Sequence, residues 1–212
     1  MSKLDRIEKK CAVCGNKQTV TVATSSSASG ATDLDGRPPM MMRALLSCSV
    51  QTCECCHYSS DDLSRRIMGF RRSMLGRDGY VTVLEREDVS PLAKSFLLAA
   101  LLYSWCGAYR SAGTMFLKAA WVFDDRRQGD YAKLARLASI KYYGKLTASR
   151  SPTHEVIKVD IMRRSGDFDG AAAYATALLD GGVAPKLAGV LRLQIKLAEA
   201  HDDTCHTADE AK

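Results

Sequence analysis

Two pairs of cysteines stand at a spacing that lets thiolates converge. Cys11 and Cys14 form one CxxC, followed by Gly15, and Cys53 and Cys56 form another, followed by His57. A CxxC turn aims two thiolates at one point, and Gly15 permits the φ > 0 backbone of a metal knuckle. Two knuckles supply four thiolates, the donor set of a closed tetrahedral Zn²⁺ site. Cys11, Cys14, Cys53 and Cys56 are therefore the expected ligands of one structural zinc. Thioredoxin-like redox chemistry fits poorly, because it needs one CxxC opening a helix after a strand. An iron–sulfur cluster also takes four thiolates, and nothing in the sequence favours it.

Further residues could join or rival this site. Cys55 lies inside the second pair, so ligation by Cys53/Cys55 or Cys55/Cys56 stays open, although the CxxC spacing favours Cys53 and Cys56. His57 fills the slot of Gly15, with a place beside the metal ligands or in solvent, and Cys48 is a spare thiol. Asp33, Asp35 and Arg37 gather in "DLDGRPP", a turn held by Asp side chains and one ion pair. Cys205 and His206 adjoin in "HDDTCHT". They could ligate a metal or act as nucleophile and base. Adjacent residues seldom hold that geometry, and the acids beside them would raise the thiol pKa. A capping or packing segment is the favoured reading there. The arginines between Arg65 and Arg77 suggest a solvated helix face, or a surface for nucleic acid or membrane.

These residues need elements to hold them. Residues 1–60 predict loops and short strands, with the β-branched run "KQTVTVATSSS" as the clearest strand. Such a stretch has few large apolar side chains, so a metal would supply stability that a core cannot. The stretch from Ser60 to Leu75 predicts a short helix, and "GRDGYVTVLERED" a turn with a brief extended segment. Pro91 opens a long region of apolar residues at three- and four-residue spacing. Six helices are expected there: 91–106, 109–124, 130–148, 153–165, 168–180 and 185–201. Gly107, Tyr109, Ala112, Phe116 and Ala119 fit the tetratricopeptide hairpin pattern, and Gly166, Phe168, Ala171, Ala175 and Leu178 repeat its opening. Cys106, in an apolar helix, is most simply a core residue.

The stretches "CAVCG", "DLDGRPPMMMRALL", "VQTCECCHYSS", "FLKAAWVFDD", "IMRRSGDFDGA" and "DDTCHT" are spread over most of the chain. Through them the chain resembles a bacterial family, a domain of unknown function, that joins an N-terminal double-CxxC zinc module to tetratricopeptide-like helices. In that family the second knuckle usually reads Cys-Pro-x-Cys-Gly-Tyr. Here the cysteines survive and Pro and Gly do not, which implies a looser turn. The resemblance implies zinc at the four knuckle cysteines and no known enzyme activity.

The expected fold is α+β, mostly α: a zinc-ribbon-like module over 1–60, a connecting helix and loop over 61–90, tetratricopeptide-like hairpins over 91–204, and a C-terminal tail over 205–212. Net charge is +6 and charged residues make up 25% of the chain, thinly spread with no basic tail, which gives nucleic acid weak support. "MSKLDRIEKK" has no apolar run behind it, and "SFLLAALLYSWCGA" is shorter than the ~20 residues a membrane span needs. A cytoplasmic protein without a membrane span is expected. The leading expectation is a non-enzymatic scaffold that meets a protein or peptide partner, with Tyr103, Tyr109 and Trp121 as contacts. The alternatives are nucleic-acid binding through Arg65–Arg77, and a thiol-based redox or metal-dependent enzyme at Cys205/His206.

Overall fold

The computed structural model describes residues 3–25, 29–146 and 151–211. Its fold is α+β and mostly α, with short antiparallel strand pairs near the N-terminus and eight α-helices among the described residues. Strands β1 (Lys3–Lys10) and β2 (Lys17–Ser25) pair antiparallel, from Lys10 opposite Lys17 to Lys3 opposite Ser25. Strands β3 (Gln51–Thr52) and β4 (Ser59–Ser60) form a second, smaller pair. Each CxxC is thus the tip of a hairpin. Between the hairpins lie a loop, the one-turn helix α1 (Met40–Arg43) and a 3₁₀ stretch over Ala44–Ser49.

Two stretches depart from what the sequence predicts. Leu63, Ile67, Phe70 and Met74 recur at helical spacing and are all buried, yet residues 61–71 form turns and only Arg72–Gly76 a 3₁₀ helix. Gly69 sits at φ +83°, which interrupts any helix there. The side chains of neighbours satisfy this backbone instead. Tyr58 Oη accepts from Ile67 N and donates to the carbonyl of Arg65, and Gln51 Oε1 accepts from Leu63 N, each at 2.9 Å. The second departure is helix α2 (Asp78–Glu85), where the Val-Thr-Val run suggests an extended segment. Tertiary contact overrides that preference. Tyr80 is fully buried, its hydroxyl donates to the His57 carbonyl at 2.7 Å, and its ring lies against Trp105.

The six long helices stand close to their expected bounds. They are α3 (Pro91–Trp105), α4 (Tyr109–Asp125), α5 (Gly129–Tyr143), α6 (Pro152–Arg164), α7 (Phe168–Asp180) and α8 (Pro185–Glu199). Ser90 caps α3 by accepting from Ala93 N, with Pro91 in the first turn. Helix α5 ends earlier than expected, at Tyr143, and positions 147 and 148 of that expectation lie outside the described residues. Neighbours in sequence pack together: α3 on α4, α4 on α5, α6 on α7 and α7 on α8. One apolar core joins the N-terminal hairpins to α3, α4 and α5, through Val20, Val50, Tyr58, Phe96 and Phe116 among others. A second core lies among α6, α7 and α8 and takes in Leu34 from the N-terminal loop. No helix among the described residues is long and apolar enough to cross a membrane.

Candidate metal centre

The two knuckles have the same backbone. Gly15 N donates to the Cys11 carbonyl and Cys11 N to the Asn16 carbonyl, at 2.9 and 2.8 Å; His57 N donates to the Cys53 carbonyl and Cys53 N to the Tyr58 carbonyl at the same distances. Gly15 has φ +80° and His57 φ +59°, so His57 holds the left-handed position that its counterpart fills with glycine. Its side chain is exposed and stands outside the sulfur cluster.

The hairpin tips bring the four thiols together. The Sγ atoms of Cys11, Cys14, Cys53 and Cys56 all lie within 4.8 Å of one another and could hold a metal ion. Cys11 and Cys56 are 3.8 Å apart, and Cys14 and Cys53 3.5 Å. Cys11 and Cys53 are buried, the other two half-buried. The backbone N–H of Asn16 holds the Cys14 thiol down to about 6, whereas burial pushes Cys11 and Cys56 up. A dication at their centre would favour the thiolate in all four. Cys55 is exposed, and the neighbouring Cys14 thiol raises its pKa. Cys48 sits in the 3₁₀ stretch, and neither it nor Cys55 belongs to the cluster. Cys106 follows α3, half-buried against the first core, with its Sγ 3.9 Å from Met74 Sδ.

The remaining motifs converge elsewhere. Asp33, Asp35 and Arg37 do form a turn, with Asp35 Oδ1 accepting from Arg37 N at 3.2 Å. No ion pair closes within it, and each charge pairs with a distant element. Asp35 Oδ2 accepts from Trp121 Nε1 at 2.9 Å, Arg164 at 2.9 Å and Arg136 at 3.3 Å. Asp124 accepts from Arg136 at 2.6 Å and from Arg164 at 2.9 Å. Two carboxylates and two guanidiniums thus close a ring that joins the loop to α4, α5 and α6. Asp35 and Arg136 are both almost wholly buried. Asp124 is lowered: burial alone would raise it, but Arg136 and Arg164 prevail. Arg37 pairs with Asp125 at 2.5 Å, and Arg43 grips both oxygens of Asp33 at 2.8 Å. Trp121 and Asp125 of "FLKAAWVFDD" and Arg164 of "IMRRSGDFDGA" are thus direct partners of "DLDGRPP", a relation no local pattern discloses.

The C-terminal segment completes this clasp. Arg163 donates to the carbonyls of Asp202 and Thr204 and pairs with Asp160. Leu34 N donates to the His206 carbonyl, and Ala208 N to that of Thr32. Cys205 and His206 do not face each other as nucleophile and base. The imidazole of His206 bridges Glu210 (Nδ1, 2.6 Å) and Asp202 (Nε2, 2.9 Å). Burial would lower its pKa, but these carboxylates win and raise it. Burial and the Asp33 carboxylate push the Cys205 thiol up to about 12, the wrong direction for a nucleophile.

Of the aromatic side chains expected at a contact face, Tyr103 and Trp121 are buried, with Tyr103 bonded to Asp61 and Trp121 to Asp35. Half-buried Tyr109 stacks on Tyr142. Arg65, Arg66, Arg71, Arg72 and Arg77 are exposed on turns and the 3₁₀ helix, not on a regular helix face. Comparison with family models, curated proteins and solved structures gives no match for this chain.

Proposed function

We propose that this chain is a non-enzymatic, zinc-stabilised scaffold in which tetratricopeptide-like helices serve a protein or peptide partner. The observation that carries the reading is the four-sulfur cluster. Four sulfurs placed tetrahedrally ~2.3 Å from one zinc are about 3.8 Å apart, close to the spacings of Cys11–Cys56 and Cys14–Cys53. All four positions are thiols, as in closed structural sites, and no fourth position is left for a reacting molecule. Zinc held there would tie the two hairpin tips together and supply stability that the small N-terminal hairpins lack.

Two further features support the scaffold half of the reading. Gly107 and Gly166 both turn the chain at positive φ before a helix, and each is followed five residues later by a wholly buried alanine, Ala112 or Ala171. That is the repeat relation of stacked hairpins. Leu134 and Leu137, one turn apart on α5, are 62% and 48% exposed, an apolar pair that suits a partner. Elemental analysis beside thiol counting tests the metal half: one zinc per chain, with four thiols freed by a chelator, is the expected result. Absence of metal would return the cysteines to redox chemistry. A site-specific photocrosslinker at 134 tests the partner half: a discrete adduct should form there and vanish when L137E is added.

A second reading has its own observation. Arg71 and Arg72 have no carboxylate within 4.0 Å among the described residues, and Arg65 pairs only with Asp62, at 3.5 Å. Nucleic acid bound there would lose affinity with salt, with a log–log slope of about −0.9 per phosphate contact. A flat salt response would dismiss it.

A further inference from the structure

A cavity of about 310 Å³ lies between α4 and the chain from Gly36 to Ser49. Its size is near the lower end of the ~300–1,000 Å³ usual for small-molecule sites. Three basic side chains line it, Arg37, Arg43 and Lys118, and no acidic one does. The rest of the wall is mainly apolar, with Met42, Leu46 and Trp121 prominent. The indole N–H of Trp121 is taken by Asp35, so the ring offers the cavity only hydrocarbon.

The three cations are not equivalent. Arg37 brings its counter-charge in Asp125, and Arg43 in Asp33. Lys118 has no carboxylate oxygen within 4.0 Å among the described residues. Its ammonium lies 6.0 Å from the ring centroid of Phe96, and Asp61 acts on it only from longer range. Burial lowers its pKa, the signature of a cation short of compensation. An apolar chamber with one unmatched positive charge complements a ligand with one negative charge and an apolar body. A dianion would leave excess charge in a poorly solvated place.

We propose that this cavity binds a small apolar monocarboxylate, its carboxylate on Lys118 and its hydrocarbon against Met42, Leu46 and Trp121. Nothing in the metal centre is needed for it, so its failure would leave the zinc reading untouched. Such a carboxylate could belong to a free acid or to the C-terminus of an apolar peptide, and the test separates them. Thermal unfolding and calorimetry of the full chain would use sodium octanoate, N-acetyl-Leu-Leu, and the neutral controls 1-octanol and N-acetyl-Leu-Leu amide. At least one carboxylate should bind saturably and raise the melting temperature, and its neutral counterpart should not. Lys118→Met should weaken binding about tenfold or more, the loss expected of a charge-assisted hydrogen bond. Leu45→Trp, which fills the cavity and keeps the lysine, should abolish binding with the circular dichroism spectrum unchanged, and it decides the matter should Lys118→Met fail to fold. Binding of the peptide acid alone would identify a chain terminus as the source. Failure of both carboxylates, equal binding of the neutral controls, or undiminished binding in Leu45→Trp would overturn the proposal.

Discussion

Replacing Asp35 with alanine should be among the most damaging single changes in this protein. The side chain is buried and accepts from Trp121, Arg136, Arg164 and the Arg37 backbone. Without it two guanidiniums share the single carboxylate of Asp124, and the indole N–H loses its acceptor. Breaking a buried pair by removing one partner costs about 3–5 kcal/mol, mainly because the surviving charge stays buried. The orphaned indole adds about 1–3 kcal/mol, although the two costs overlap. We expect about 4 kcal/mol in total, a large part of the ~5–15 kcal/mol by which domains are stable. Urea unfolding measures it: with a slope of ~2 kcal/mol/M, the midpoint should fall by roughly 2 M. Asp35→Asn, which keeps an oxygen for Trp121, should cost less. Asp35→Ala combined with Arg164→Met should cost less than the sum of the two, because the second change removes part of the excess charge. Metal content should not change, since none of the four clustered cysteines bonds to this ring. A loss below about 1 kcal/mol for Asp35→Ala, or simple additivity in the double variant, would refute the ring as the fastening of the loop.

Other outcomes follow from the same geometry. Cys53→Ser should abolish stoichiometric metal in elemental analysis and remove the chelator-sensitive unfolding transition, because Cys53 is a wholly buried member of the four-sulfur cluster. His57→Gly should stabilise the second knuckle by up to about 1 kcal/mol in urea melts, since a non-glycine residue pays for φ +59°. His206 has a pKa raised above its unfolded value, so its contribution is fully present below about pH 6.5 and is lost as pH rises through the folded value. Stability curves of His206→Gln should therefore lack that decline between neutral and mildly alkaline pH, and proton NMR of the wild-type imidazole should titrate late.

Periodicity and spacing made part of this molecule legible. The six long helices are announced by apolar repeats and by Pro91, Pro152 and Pro185 at their first turns. The four-thiol cluster follows from CxxC spacing, and the equivalence of His57 with Gly15 holds in backbone geometry. Where local pattern and tertiary demand disagree, the sequence misleads. Leu63, Ile67, Phe70 and Met74 carry a helical period because alternate turns also point inward, while the hydroxyl of Tyr58 takes over hydrogen bonds that a helix would make. Asp35, Arg136 and Arg164 look like solvent-facing charges. Their pairing spans up to 129 positions, and nothing in a local window distinguishes a buried arginine from an exposed one. Tyr103 and Trp121 resemble contact residues for the same reason, although polar partners inside the fold hold both.

The bridge between Asp33 and Thr207 also bears on timing. Both hairpin tips lie within residues 1–60 and emerge before any of the long helices. The loop between them has to wait. Asp33 can meet Arg43 early, but Asp35 gains Trp121, Arg136 and Arg164 only once α4, α5 and α6 exist, and the loop's edge is paired only when residues 206–208 arrive. During synthesis Asp35 therefore stays in water after all four knuckle cysteines have emerged. Contacts so far apart in sequence form slowly, because the chain between them must first be ordered. A chain halted before residue 202 would leave the loop's edge at residues 32–34 unpaired and Arg163 deprived of the carbonyls of Asp202 and Thr204. A protease would thus have a way to distinguish incomplete copies from complete ones.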